Sequence, residues 1–178
     1  MIHTLTLNPA LDLEFSVPEI RFNQVLRASR VRADCGGKGF NIARALAEMG
    51  ETCLAWGLVG GKTGERLAQD LAKMGVQTRF IWTAGETRTN AAVVTSPLKD
   101  YIKVNQAGPE ITPGELAQVL DEIGGAARAG DIWVLSGSLP PGAPADTYAR
   151  VIAIVQKAGG RALVDADGET LRHACLAR

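Results

Sequence analysis

The chain has 178 residues, 46% hydrophobic and 21% charged, which describes a folded domain rather than a disordered tract and leaves enough apolar residue for a core. Lys plus Arg number 19 and Asp plus Glu number 19, so net charge offers nothing to nucleic acid or an anionic membrane. Aromatics make up 5% and do not interleave with cations, which argues against a stacking surface for single strands.

The opening "MIHTLTLNPALDLEF" has no basic start and no long apolar stretch, so no signal peptide is read there. "IHTLTL" alternates as a strand does and stops at Asn8-Pro9, a turn pair. "DLEFSV" and "VLRASRV" alternate again, as do "NAAVVTS" and "YIKVNQ" further on. Half-polar strands of this kind suit a sheet with one wet face. From residue 39 to residue 49, Ile42, Ala43, Leu46, Ala47 and Met49 share one helical face, with Asn41, Arg44 and Glu48 opposite. "TCLAWGLVG", "DIWVLSG" and "RALVDADG" are short apolar runs ending in Gly, the pattern of parallel strands buried on both faces. Between them, "GERLAQDLAKMG" spaces Leu67, Leu71 and Met74 as a helix and ends on Gly75. "TPGELAQVLDEIGGAARAG" opens with Thr112 as N-cap and Pro113 in the first turn. "APADTYARVIAIVQKAGG" closes on Gly159-Gly160. Strands alternating with helices predict an α/β fold on a parallel sheet. The amphipathic strands from about 12–33 and 87–106 do not fit inside that sheet and predict a second, smaller sheet that caps it.

Cys35, Cys53 and Cys175 form no C-x-x-C pair, so reduced thiols and a cytoplasmic location are expected. His3 and His173 are the only imidazoles, and no metal site is expected from that inventory. No apolar run approaches the ~20 residues of a membrane span.

Two stretches tempt toward a nucleotide loop. "WGLVGGKTGE" has Trp56 where a Walker A loop needs glycine, and "CGGKGF" has Gly39 where Ser or Thr would hold magnesium. Lys62 and Thr63 therefore read as an exposed turn before a helix. "GGKGFN" still suits an anionic, hydroxyl-rich ligand. Glycines admit a close ligand, the following helix offers unpaired N–H groups, and Lys38 and Asn41 add a charge and a two-way hydrogen-bonder. A Gly-rich turn that only caps a helix is the plain alternative. Asp12 follows a strand-ending turn, where it can accept from two sugar hydroxyls or simply serve the turn. Arg88 starts a strand of the small sheet, as a phosphate clamp or a solvated surface group. "LSGSLPPG" follows a buried strand at the edge where open α/β sheets bind ligands. Asp165 ends the last apolar strand at that edge, as a helix cap or a site group.

Together, "TLTLNPALD", "GGKGFNIARALAEMG", "TRTN", "LSGSLPPG" and "DADGETL" resemble, in order and approximate spacing, the phosphofructokinase B group of ribokinase-like sugar kinases. The closest resemblance is to 1-phosphofructokinases and tagatose-6-phosphate kinases. It covers the whole chain but matches only the N-terminal part of that fold. The resemblance implies a Rossmann-like parallel sheet with helices on both faces and a small β-sheet lid, which often contributes to a dimer contact. It implies ATP- and Mg2+-dependent phosphorylation of a phosphorylated ketose, fructose 1-phosphate first and tagatose 6-phosphate second. By the same resemblance Asp12 binds sugar hydroxyls. Gly37, Gly39 and Asn41 line the sugar pocket with Lys38 near a phosphate, Arg88 holds the existing phosphate from the lid, and Ser138 touches the substrate from the main sheet. Cys35 and Asp167 stand where relatives commonly carry Ala and Ser. Relatives continue into an ATP-binding region and a "GAGD" loop with the general-base Asp, so the 178-residue chain is expected to be inactive alone. The competing class is a non-catalytic sugar-phosphate sensor or assembly module.

Overall fold

In the computed structural model, residues 1–95 and 99–177 are described. Ser96, the end of the "NAAVVTS" reading, and Arg178 lie outside them. The main sheet is built from β1 (Ile2–Thr6), β4 (Cys53–Val59), β5 (Gln77–Trp82), β8 (Ile132–Ser136) and β9 (Arg161–Asp165). Its five strands run parallel in the order β5-β4-β1-β8-β9. Of the helices, α1 (Lys38–Glu48) and α2 (Gly61–Lys73) cover one face, and α3 (Pro113–Ala126) and α4 (Thr147–Lys157) the other. A last helix, α5 (Gly168–Leu176), packs on α4 and β9. The second sheet has β3 (Arg30–Gly36), β2 (Ala10–Val17), β6 (Arg88–Thr95) and β7 (Tyr101–Val104), in that order.

Alternation along each main strand sorts side chains to two cores. Leu5, Trp56, Trp133 and Leu135 pack with Val119, Ile123, Tyr148 and Val151. Cys53 and Ala55 pack on the other face with Phe40, Ala43, Leu67 and Leu71. Phe40 anchors α1, and Gly57 leaves the space for its ring, since a Cβ there would lie 2.7 Å from Phe40 Cζ. Thr112 caps α3, as its sequence predicts, and the structure adds a full capping box with Glu115. The lid's apolar row, Leu11, Leu13, Ala33 and Cys35, joins the second core. Its polar row, Asp34–Asp12–Asn90, is set by the strand register.

Four local expectations change. Strand β5 follows Gly75, where no strand was read. It is an edge strand with Gln77, Arg79 and Trp82 exposed, so its apolar signal is weak. The "VLRASRV" strand starts only at Arg30 and runs on to Gly36, because its antiparallel partner β2 begins pairing there. Val25, 81% exposed, has no face to bury. Met49 leaves the apolar face of α1 for solvent as its C-cap. Lys62 and Thr63 lie inside the first turn of α2 rather than before it.

The lower end of the sheet holds a buried titratable pair. Trp56 Nε1 donates to His3 Nδ1 at 3.1 Å. Nδ1 is therefore the bare nitrogen, and Nε2–H faces Asp131 Oδ2 at 3.3 Å. The His3 ring stacks on Trp133 with centroids 4.1 Å apart. Burial lowers the His3 pKa below 6.5 despite the pull of Asp131. Protonation would also break the bond from Trp56. A depressed folded-state pKa means the unfolded chain binds a proton first as pH falls. Stability should therefore drop as pH falls below 6.5, the ordinary value for His3, and His3→Gln should flatten that part of the curve. Thermal melts from pH 7.5 to 5 check this; equal slopes in both proteins would contradict it.

Candidate functional site

The strand order reverses direction at β1, and the chain returns to β8 on its other side. A crevice opens at the carboxyl ends of these two strands, as in other open α/β sheets. The cavity there has a volume of about 320 Å³. From the sheet it takes Thr6, Asn8 and Ser136–Ser138, and from the lid Asp12, Arg88, Asn90, Lys103 and Asn105. Gly37, Lys38 and Asn41 close it from α1, and Asp167 from the start of α5. A second lobe of about 300 Å³ continues under the lid past Asp12, Asn41 and Asn90.

The 36–39 loop is shaped by contacts within the protein. A Cβ on Gly36 would strike the Asp12 carboxylate. One on Gly37 would lie 2.7 Å from Thr6 Cγ2, and one on Gly39 would lie 2.5 Å from Thr6 Oγ1. Gly37 also holds φ 133°, a conformation that favours glycine. Gly39 is buried against β1 and does not line the cavity. Its missing side chain serves packing rather than ligand approach. Gly37 is the N-cap of α1, with no side-chain cap and no acidic residue in the first turn. The first N–H groups of α1 thus have no side-chain acceptor. The start of α2 differs: Glu86 accepts from Thr63 N at 2.6 Å and fills that terminus.

Asp12 is held by Asn90, whose Nδ2 donates to Asp12 Oδ1 at 2.7 Å. Lys38 reaches Asp165 across the mouth, Nζ to Oδ2 at 3.0 Å, with both side chains 58% exposed. Asp165 itself does not line the cavity, and Asp167, which does, is the N-cap residue of α5, with no side-chain cap bond of its own. Asn41 is exposed and lines both lobes. Ser138 is exposed and accepts a 3.4 Å bond from Asn8 Nδ2. Asn8 also donates to Ala107 O and Leu139 O, so it ties three loops together. Tyr148, buried beneath, donates to Gly137 O at 3.1 Å, and burial pushes its pKa up. Cys35 is buried, and burial pushes its thiol up to about 11, so it is no nucleophile.

Arg88 is more committed than its sequence context suggests. Its guanidinium donates to Asn8 O at 2.9 Å, Gln106 O at 2.8 Å and Pro9 O at 3.4 Å. Burial lowers its pKa, opposed by Asp12. Two of its five N–H groups remain for a ligand. Lys103 was missed by sequence reasoning. It is exposed on β7 and borders both lobes. Thr6, Asn8, Asn90, Asn105 and Ser136 were also missed as site residues. A signal existed in β1, where Thr4 and Thr6 put hydroxyls on a strand buried on both faces.

Among the described residues, no group of three or more His, Cys, Asp or Glu gathers to hold a metal ion. Of the two Gly-Lys loops, one precedes a helix start filled by Glu86, and the other faces the Asp12 cavity. Also among the described residues, no helix is long and apolar enough to cross a membrane.

A four-stranded lid thus covers a crevice of carboxylate, amides and cations at the end of an open α/β sheet, the architecture of the sugar-kinase fold class. A profile of the pfkB family carbohydrate kinases matches residues 7–177, and the chain belongs to that family. It is 39% identical over 172 residues to the ATP-dependent 6-phosphofructokinase isozyme 2 of Mycobacterium tuberculosis, covering 97% of this chain and 51% of that protein. The structure of Escherichia coli phosphofructokinase-2 in complex with fructose-6-phosphate matches with a TM-score of 0.92 and 34% identity, over 99% of this chain and 58% of that one. A possible 1-phosphofructokinase from Thermotoga maritima matches with a TM-score of 0.89 and 28% identity, over 99% and 57%. The fold is thus the ribokinase-like one, and the chain spans about half the length of the curated relatives it matches.

Arg88→Ala should destabilise the ligand-free protein by about 2 kcal/mol, because it strips donors from the carbonyls of Asn8 and Pro9 at partly buried bonds, and from that of Gln106 at an exposed one. Urea melts without ligand check this. A change within about 0.5 kcal/mol, typical of a surface group, would contradict it.

Proposed function

We propose that these residues carry the sugar-phosphate half of a carbohydrate kinase that phosphorylates a phosphorylated ketohexose. The observation behind this reading is the pairing within one cavity of a hydroxyl-binding carboxylate, Asp12 on Asn90, with the cations Lys38, Arg88 and Lys103. Asp12, Gly37 and Asn41 bind the sugar, Lys38 and Arg88 hold its phosphate, and Ser138 closes the sheet side. Fructose 6-phosphate stands first among substrates, ahead of fructose 1-phosphate and tagatose 6-phosphate. The relatives named as 6-phosphofructokinases have the higher identities, 39% against 28% for the possible 1-phosphofructokinase. ATP and Mg2+ are the co-reactants, as the name of the Mycobacterium relative suggests for ATP. Phosphoryl transfer rests on positioning and charge stabilisation, and this chain's residues contribute the positioning of the acceptor.

Calorimetry of fructose 6-phosphate, fructose 1-phosphate, tagatose 6-phosphate and free fructose, with and without an ATP analogue, tests the reading. We expect a sugar phosphate to bind, fructose not to bind, and the 178-residue chain to give no turnover with ATP and Mg2+. Binding of free sugars alone would contradict the substrate class, and measurable turnover would contradict the assignment of the base to residues outside this chain.

We also propose that two chains associate through the lid. Val31, Phe15, Val93 and Ile102 form one row across it, with Val104 on the same face. Val31, Ile102 and Val104 are 58%, 38% and 61% exposed, an apolar face of the kind that marks contact sites. Sedimentation velocity should show a dimer that Ile102→Glu dissociates; a monomeric parent chain would contradict it.

A further inference from the structure

The 60–63 loop, whose sequence departs from a Walker A loop at Trp56, is occupied by the protein itself. A Cβ on Gly60 would strike the Gly85 carbonyl, and one on Gly61 would strike the Glu86 carboxylate. Gly61 also holds φ 63°, a conformation that favours glycine. Through that opening Glu86 reaches the start of α2 and accepts from Thr63 N at 2.6 Å. Bonds from Thr63 hold its carboxyl below the usual carboxylate range, so it is an anion at neutral pH beside the positive end of a helix. Thr87 grips the same loop. Its N–H donates to Gly60 O at 3.0 Å, and its Oγ1 accepts from Gly60 N at 2.9 Å. Thr83 N donates to Val59 O at 2.8 Å, and Ala84 N donates to Glu115 of α3 at 2.9 Å. Residues 83–87 are thus fastened to α2 and α3. They form the connection from β5 into the lid, and the next residue is Arg88, the first of β6.

Resting on the proposed function, we infer that the 60–63 loop is a seat for the Glu86 carboxylate, and that Glu86, seated there, is a positioning residue that sets Arg88 for the substrate's phosphate. Glu86 does not line the Asp12 cavity. It borders a neighbouring cavity of about 400 Å³ together with Arg88, so it acts on a ligand through the arginine. The carbonyls of Asn8, Pro9 and Gln106 fix the guanidinium end of Arg88. The seat fixes its backbone end, two residues from Glu86. Charge and anchorage predict effects of opposite sign. A carboxylate acting only as a charge near an anion site repels phosphate, so its removal strengthens binding. A carboxylate acting as an anchor holds Arg88 in one placement. Its removal spreads the arginine over several placements, and apparent affinity falls with the competent fraction. The bonds on both sides of residues 83–87 are those of an anchor.

Glu86 is exposed, so Glu86→Ala and Glu86→Gln leave the core untouched, and thermal melts verify that each variant is folded. Fructose 6-phosphate is titrated by calorimetry into the wild type, both variants, Arg88→Ala and the Glu86→Ala/Arg88→Ala double variant. Glu86→Ala should bind it about fivefold more weakly, as when the competent placement falls to about one-fifth of the population. Glu86→Gln keeps an acceptor for Thr63 N and should stay within about twofold of the wild type. In the Arg88→Ala background Glu86→Ala should cause no further loss, the behaviour of two residues that act through one contact. Unchanged or tighter binding by Glu86→Ala overturns this inference alone. So does an equal loss in both backgrounds, or a loss in Glu86→Gln as large as that in Glu86→Ala. A wild-type chain that binds no fructose 6-phosphate, or an Arg88→Ala variant that binds it as the wild type does, overturns both this inference and the functional reading beneath it.

Discussion

Three glycines let the backbone of residues 36–39 lie against the end of β1 and the start of β2 more closely than any side chain would allow. Gly36 makes room for the Asp12 carboxylate, and Gly37 and Gly39 make room for Thr6. Much of the site follows from that contact. It seats the start of α1 over the sheet's carboxyl edge, where Phe40 locks it against Gly57. It turns Lys38 and Asn41 into the crevice and leaves the first N–H groups of α1 without a side-chain cap. It also presses Asp12 between loop and lid, where Asn90 fixes one oxygen. A side chain at Gly37 or Gly39 would push the loop off β1, and one at Gly36 would push it off Asp12.

The lid is organised by a second set of contacts. Arg88 and Asn8 work as a pair of clasps: the guanidinium takes the carbonyls of Asn8, Pro9 and Gln106, and the Asn8 amide takes those of Ala107 and Leu139. Both lid connections are thereby tied to the sheet end. This couples stability to binding at one residue, because the same guanidinium that stitches the loops keeps two N–H groups for a ligand. Lys38 is coupled differently. Its pair with Asp165 is exposed, and exposed pairs contribute little, about 0–1 kcal/mol. Under the proposed function, an arriving phosphate displaces Asp165 at small cost.

Much of this was legible in the sequence. Apolar runs ending in Gly marked β4, β8 and β9, and Thr112-Pro113 marked the start of α3. Ordered motifs pointed to the sugar side of a kinase fold. What stayed hidden depends on partners distant in sequence. Strand β5 carries too little apolar signal to stand out from an edge. β3 begins where β2 can pair with it, which no local pattern reveals. Arg88 looks like a free clamp until the carbonyls 18 to 80 residues away are seen to hold it. Gly39 reads as a ligand-facing glycine, and only the position of Thr6 shows that it serves packing.

The direction in which the sugar phosphate lies is the central claim, since it follows from donor and acceptor placement along the whole cavity. A crystal structure of the chain with fructose 6-phosphate tests it directly. The ketose hydroxyls should contact Asp12 and Asn41, with the phosphorus among Lys38, Arg88 and Lys103. Phosphorus density beside Asp12 and Asn90, with the hydroxyls at the cations, would contradict it.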